Sequence, residues 1–141
     1  MINTDNLPAV LKTLGFQVSG KRQVWSNGST TVSVDLAAGL INYPTDDGLV
    51  VNDATTCNFS ANENFVVLEC VVRLLAKGYR LQHIELEPRW QLGRGASGGK
   101  ADVLVRDQQR RPLLIIECKT LKETLFSDPR PRLPPGKRPP K

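Results

Sequence analysis

The chain has little of what many hydrolytic centres are built from. A single histidine, His83, excludes any mechanism that needs two, such as an HEXXH zinc site or a two-histidine nuclease. His83 itself reads as a strand residue rather than a ligand. Three cysteines, Cys57, Cys70 and Cys118, are an odd number and form no CxxC pair, so neither a disulfide framework nor a zinc knuckle is indicated. They read as reduced, mostly buried thiols. No apolar run approaches the roughly 18 residues of a membrane span, and the opening MINTDNLPAV has neither a basic start nor an apolar signal core. The expectation is a cytoplasmic protein with no membrane segment.

Excess charge is also missing from most of the chain. The formal net charge is +5, but residues 129–141, PRPRLPPGKRPPK, hold five Lys or Arg and no acid. The other 14 basic side chains face 14 acidic ones. A high isoelectric point is therefore weak support for nucleic-acid binding by the folded part. With 141 residues, 40% of them hydrophobic, there is material for one domain with a real core.

What is present reads as alternating α and β structure. Asp5 or Asn6 followed by LPAVLKTLG predicts a short capped helix, with Pro8 near its start and Gly15 as its stop. FQVSGKRQVW, SNGS and TTVSVDL give alternating strand patterns around a turn at Asn27 and Gly28. Gly39 to Tyr43 suggests one more strand, and PTDDGL a turn. The clearest helix runs from Ser60 to Gly78, SANENFVVLECVVRLLAKG. Ser60 and Glu63 have capping-box spacing, Gly78 closes it, and Val67, Cys70, Val71 and Leu74 recur at three and four to make a packing face. Glu69 and Arg73 are spaced for a surface ion pair. Tyr79 to Leu92 then predicts a strand broken near Pro88. GRGASGG predicts a loop, KADVLVRD a strand, DQQRRP a turn and LLIIECKT another strand. LKETLF is a further helix candidate before a proline-rich tail expected to be disordered.

The last two strands carry the chemistry. LLIIECKT runs straight from apolar residues into Glu117, Cys118 and Lys119, although burying an unpaired ion in a strand costs several kcal/mol. By alternation Ile115, Glu117 and Lys119 share one face, and Asp102, Leu104 and Arg106 share a face of the preceding strand. A hairpin turning near Gln108 to Arg111 sets Asp102 beside Glu117. Two adjacent carboxylates repel, and a hard divalent cation between them is the usual resolution. A lysine two residues on stands near that cation and its water, the arrangement that metal-assisted phosphodiester hydrolysis needs.

Asp102, fourteen intervening residues and then Glu117-Cys118-Lys119 resembles the PD-(D/E)xK nuclease superfamily. ENFVVLECVVRLLAKGY, GASGGKADVLV and LLIIECKT resemble more closely the N-terminal nuclease domain of type I-like restriction enzymes, including fused restriction-methylation polypeptides; the likeness covers roughly residues 58 to 120. The usual proline before the aspartate is absent, since Lys100 and Ala101 precede Asp102. The resemblance implies an α/β fold: a restriction-endonuclease-like core with a mixed central sheet flanked by helices, preceded by an N-terminal helix and β-hairpin extension. It further implies a magnesium-dependent endonuclease, with manganese as a substitute, acting on double-stranded DNA. Asp102, Glu117 and the backbone carbonyl of Cys118 would hold the metal, and Lys119 would activate or position water. Glu63 sits where the family places an acidic residue facing the site, although it also reads as the capping partner of Ser60. Asp102, in turn, also reads as a residue that ends a strand edge, and Glu117 with Lys119 as a solvent-facing pair.

GRGASGGK fails as a P-loop, because the first required glycine falls on Arg94 and Ala101 replaces the Ser or Thr. It reads either as a DNA-facing loop, with Arg94 and Lys100 contacting phosphates, or as a plain connection. The expected organisation is an extension packed on the core over residues 1–57, the nuclease core over 58–127 and the basic tail over 128–141. Related enzymes continue past the ExK strand with a helix, a strand and then motor, methyltransferase or specificity regions. This chain leaves that pattern near Leu121, so its core reads as truncated, and such regions are expected partners on the same or another chain. The competing expectation is a catalytically silent DNA-binding or assembly module of a restriction complex. A third is a regulatory protein whose tail is a polyproline ligand.

Overall fold

The computed structural model describes residues 2–88 and 101–118. The first helix, α1 (Leu7–Leu14), starts with proline in its first turn and buries Leu7 and Leu11. Asn6 occupies the cap position, but its side chain instead accepts a hydrogen bond from the amide of Asn3 at 2.8 Å. A four-stranded antiparallel meander follows, β1 (Gln17–Ser19), β2 (Arg22–Asn27), β3 (Thr30–Asp35) and β4 (Leu40–Asn42), paired in chain order. The β2–β3 hairpin pairs Asn27 with Thr30, so its two-residue loop is Gly28-Ser29, with Gly28 at φ +64°. A positive φ at the first loop position matches the right-handed twist of the strands, and glycine adopts it without strain. FQVSGKRQVW is not one strand: Ser19 pairs with Arg22, so a second tight turn at Gly20-Lys21 folds it into two.

The second sheet is mixed. β5 (Val50–Val51) runs parallel to β6 (Ile84–Leu86), which pairs antiparallel with β7 (Val103–Arg106), and β7 pairs antiparallel with β8 (Pro112–Ile116). Of the stretch Tyr79 to Leu92, residues 89–92 lie outside the described residues; within the described part Leu81–His83 forms a 3₁₀ turn and Ile84–Leu86 the strand, so His83 lies just before the strand rather than in it. The β7–β8 turn is tied by Asp107, whose carboxylate accepts the amides of Gln109 and Arg111, each at 2.9 Å. The Arg111 amide, with help from its guanidinium, holds the Asp107 carboxyl below the usual carboxylate range.

The second helix is α2 (Glu63–Ala76). Its buried face, Phe65, Val67, Leu68, Val71, Val72, Leu74 and Leu75, is wider than the four positions read from its periodicity. The end at Gly78 is as expected: Gly78 takes φ +104°, its amide donates to the Leu75 carbonyl and that of Tyr79 to Leu74, the 5→2 and 6→1 bonds of a Schellman cap. The start differs. Asn62 stands at the cap without a side-chain capping bond and Glu63 is the first helical residue, so the helix does not start at the box of Ser60 and Glu63. Asn58 Oδ1 binds the Ser60 amide at 2.8 Å instead, and Asn64 Nδ2 donates to the carbonyls of Thr55 and Asn58 at 2.7 and 2.9 Å.

A single hydrophobic cluster joins these parts. It holds Leu7 and Leu11 of α1, Trp25, Val32 and Val34 of the meander, the buried face of α2, Ile84, Val103 and Val105 of the second sheet, and Cys118 just after β8. Among the described residues no helix is long and apolar enough to cross a membrane.

Candidate functional site

Three neighbouring strands end at one place. Leu86 pairs with Val103 and Val103 with Ile116, so one step further along the register brings Glu87, Asp102 and Glu117 to the same level. Backbone bonds fix this corner. The Glu87 amide donates to the Asp102 carbonyl and the Asp102 amide to the Ile116 carbonyl, both at 2.9 Å. The Cys118 amide donates to Asp102 Oδ2 at 2.6 Å, a short, charge-assisted bond. Asp102 thus grips the peptide groups on both sides of Glu117.

The expected strand face is realised with one correction. β8 stops at Ile116, so Glu117 and Cys118 follow the strand rather than belong to it. Nor is the apolar strand a buried one. β8 is the sheet edge, with Leu113, Leu114 and Ile115 between 37% and 54% exposed, and Glu117 is exposed as well. The desolvation penalty that made Glu117 anomalous is therefore not incurred at this edge. Alternation holds nonetheless: Ile116 packs on the core and Cys118 is 5% exposed, while Ile115 and Glu117 turn outward.

Glu63, exposed, is the first residue of α2, and it and Asp102 each help to raise the Cys118 thiol pKa. Glu69 does not share this role; it pairs with Arg73 at 2.8 Å on the surface, as its spacing predicts. Lys119, Arg94 and Lys100 lie outside the described residues, as do the LKETLF helix and the proline-rich tail.

Cys118 is buried in the hydrophobic cluster and Cys70 lies half-buried against it. Interaction with Cys118 lowers the Cys70 thiol from its ordinary range, and interaction with Cys70, together with burial, pushes Cys118 up. The buried hydroxyl of Tyr43 has no hydrogen-bond partner among the described residues, and burial drives its pKa well above that of an ordinary phenol.

Among the described residues no group of three or more His, Cys, Asp or Glu side chains is gathered tightly enough to hold a metal ion by itself. Two carboxylates are compatible with magnesium, which keeps several waters and takes protein carboxylates one or two at a time, completed by substrate phosphate. Asp102 Oδ2 is engaged by the Cys118 amide, and its second oxygen is the one suited to a cation.

Glu87 was missed by sequence reasoning. It is half-buried, sits at φ +51° and precedes Pro88, a left-handed backbone that a non-glycine residue seldom takes. No motif spacing marks it; only strand pairing places it beside Asp102. The chain matches no protein-family model, no curated protein and no solved structure.

Proposed function

We propose that the protein is a metal-dependent DNA endonuclease domain of the restriction-endonuclease-like class, acting within a restriction-modification system in the cytoplasm. The observation that carries this reading is the double grip of Asp102 on the peptides flanking Glu117, which fixes two carboxylates at adjoining strand ends directly before Lys119. Asp102, Glu117 and the Cys118 carbonyl would hold magnesium, or manganese in its place, with Glu63 as a further acidic group. A divalent cation there neutralises phosphate charge and acidifies a bound water.

The chain's own residues do the rest. Asp102, anchored through its backbone and Oδ2, presents its other oxygen without side-chain freedom. Glu117, on the exposed edge, is accessible to a duplex. Lys119 would orient the attacking water and offset the developing negative charge. Arg94 and Lys100 are the candidate phosphate contacts of this reading. Target choice belongs to specificity, motor or methyltransferase regions on the same or another chain.

One observation favours a second reading. The Cys118 amide already satisfies half of the Asp102 carboxylate, as expected if Asp102 only secures a strand end in a silent DNA-binding or assembly module. Supercoiled plasmid separates the two. With magnesium or manganese the purified chain nicks it, EDTA stops the reaction, and Lys119→Ala lowers the rate by about 100-fold or more. Inertness in every metal, or equal activity of the Lys119→Ala protein, would sink the nuclease reading; DNA retention unaffected by Lys119→Ala and by EDTA would establish the silent module.

A further inference from the structure

The tip of the β2–β3 hairpin carries a chemistry that the nuclease reading does not use. Of the eight asparagines in the chain only Asn27 is followed by glycine. The backbone nitrogen after an asparagine can close a succinimide ring on the side-chain carbon, and a side chain on that next residue obstructs the approach. Glycine presents none. The chain offers this geometry twice, at Asn27-Gly28 and at Asp47-Gly48, and the structure treats the two oppositely. The Gly48 amide donates to the Thr45 carbonyl at 3.2 Å, and a methyl group on Gly48 would lie 2.8 Å from the Gln82 side chain. That nucleophile is engaged and crowded. Asn27, Gly28 and Ser29 are all exposed, the Gly28 amide has no hydrogen-bond partner among the described residues, and a methyl group on Gly28 would meet nothing within 4 Å. Asn27 is also structural. Its Nδ2 donates to the carbonyl of Leu75, in the last turn of α2, at 3.4 Å, and its backbone pairs with Thr30 to close the hairpin.

We propose that Asn27 is a self-modification site, at which the Gly28 amide drives deamidation to aspartate and isoaspartate and so releases the hairpin tip from α2. The Gly28 nitrogen attacks Cγ of Asn27, a new C–N bond forms, and the bond from Cγ to Nδ2 breaks. The Gly28 amide proton leaves with Nδ2, which departs as ammonia. Water then adds to one of the two ring carbonyls and the C–N bond there opens. Opening at Cγ gives aspartate, and opening at the backbone carbonyl gives isoaspartate. One water is consumed, one ammonia is released, and nothing is oxidised or reduced.

Both products lose the donor that reaches Leu75. A carboxylate in its place faces the carbonyl end of α2, the negative end of the helix dipole, and is repelled there. Isoaspartate also routes the main chain through the side-chain carbon, which lengthens it and disturbs the pairing of residue 27 with Thr30. Trp25 pairs with Val32 in the same hairpin and both belong to the hydrophobic cluster, so a loosened tip reaches the core. Stability therefore falls as the protein ages, whatever the chain does to DNA.

The test ages the full, folded chain in mildly alkaline buffer beside a sample unfolded in urea. The folded chain is expected to gain about 1 Da as the side-chain NH₂ gives way to OH, with release of ammonia. Peptide mapping places the change at residue 27, with isoaspartate among the products there and none at residue 47. The aged protein melts about 3 °C or more below the fresh one. Asn27→Asp, which carries the charge from the start, also melts below the parent. Asn27→Gln, whose longer side chain closes the ring poorly, neither gains mass nor loses stability on ageing. Should Asn27→Asp fail to fold, the aged parent decides alone, since it needs no substitution. A mass gain confined to the urea sample, equal reaction at residue 47, or an aged chain that melts like the fresh one would overturn the proposal.

Discussion

At the scale of single residues the structural role of Asp102 can be separated from the metal-binding role proposed for it. Its carboxylate accepts the Cys118 amide in a half-buried corner, and removing the acceptor leaves that donor unpaired at a cost of about 1–3 kcal/mol. Asn at the same position keeps an oxygen for the amide but loses the charge a cation needs. The expectation is that Asp102→Ala lowers stability by that amount, whereas Asp102→Asn stays within about 1 kcal/mol of the parent and still abolishes metal-dependent nicking. Urea titrations alongside the plasmid assay check this. If Asp102→Asn nicks normally, the residue is only a strand anchor. Asp102 was legible because its spacing to Glu117-Cys118-Lys119 follows from a hairpin of ordinary length. Glu87 was not, because its place depends on β6 pairing with β7 across the 89–100 interval and on a backbone conformation that no local pattern announces.

At the scale of elements, helices were easier to read than the ways they begin. The three–four spacing of Val67, Val71 and Leu74 depends only on helix geometry, and Gly78 marks a C-terminus because few other residues take its φ cheaply. The capping-box spacing of Ser60 and Glu63 had no such constraint. Asn58 claims the Ser60 amide and Asn64 claims two carbonyls, so the preceding turn is fastened by amides instead. Ser60→Ala is therefore expected to cost less than about 0.5 kcal/mol, since the cap it would remove is not made. Asn64→Ala leaves two carbonyls without their shared donor and is expected to cost about 1–2 kcal/mol. Chemical denaturation of the two variants ranks them, and a larger loss for Ser60→Ala would restore the capping box. Strand limits were harder for the same reason. Tyr79 to His83 reads as strand from its residue types, but the turn at Leu81–His83 is set by packing: Leu81 is buried while Gln82 reaches back to the Asp47 carbonyl at 3.2 Å.

At the scale of the whole molecule, the boundary near residue 57 separates stretches of sequence but not packing. Leu7, Leu11, Phe16, Trp25, Val32, Val34, Ile41, Tyr43 and Leu49 all precede it and all belong to the cluster that contains Phe65, Val71 and Val103. Val50–Val51 precedes it too, yet supplies an edge strand of the sheet that carries Asp102. Each large apolar side chain buried here contributes about 1.5–3 kcal/mol, while the net stability of a domain is only about 5–15 kcal/mol. The loss of nine such side chains outweighs that net about twofold. A chain of residues 58–141 is therefore expected to show no cooperative thermal transition by circular dichroism, whereas the full chain melts in one step. Leu11→Ala, a single cavity in α1, is expected to destabilise the full chain by about 2–5 kcal/mol and to shift the melting of both sheets together, because no other core exists among the described residues to which the second sheet could retreat. A cooperative melt from residues 58–141 would instead make the first segment a dispensable addition, and the candidate site would then rest on β6, β7, β8 and α2 alone.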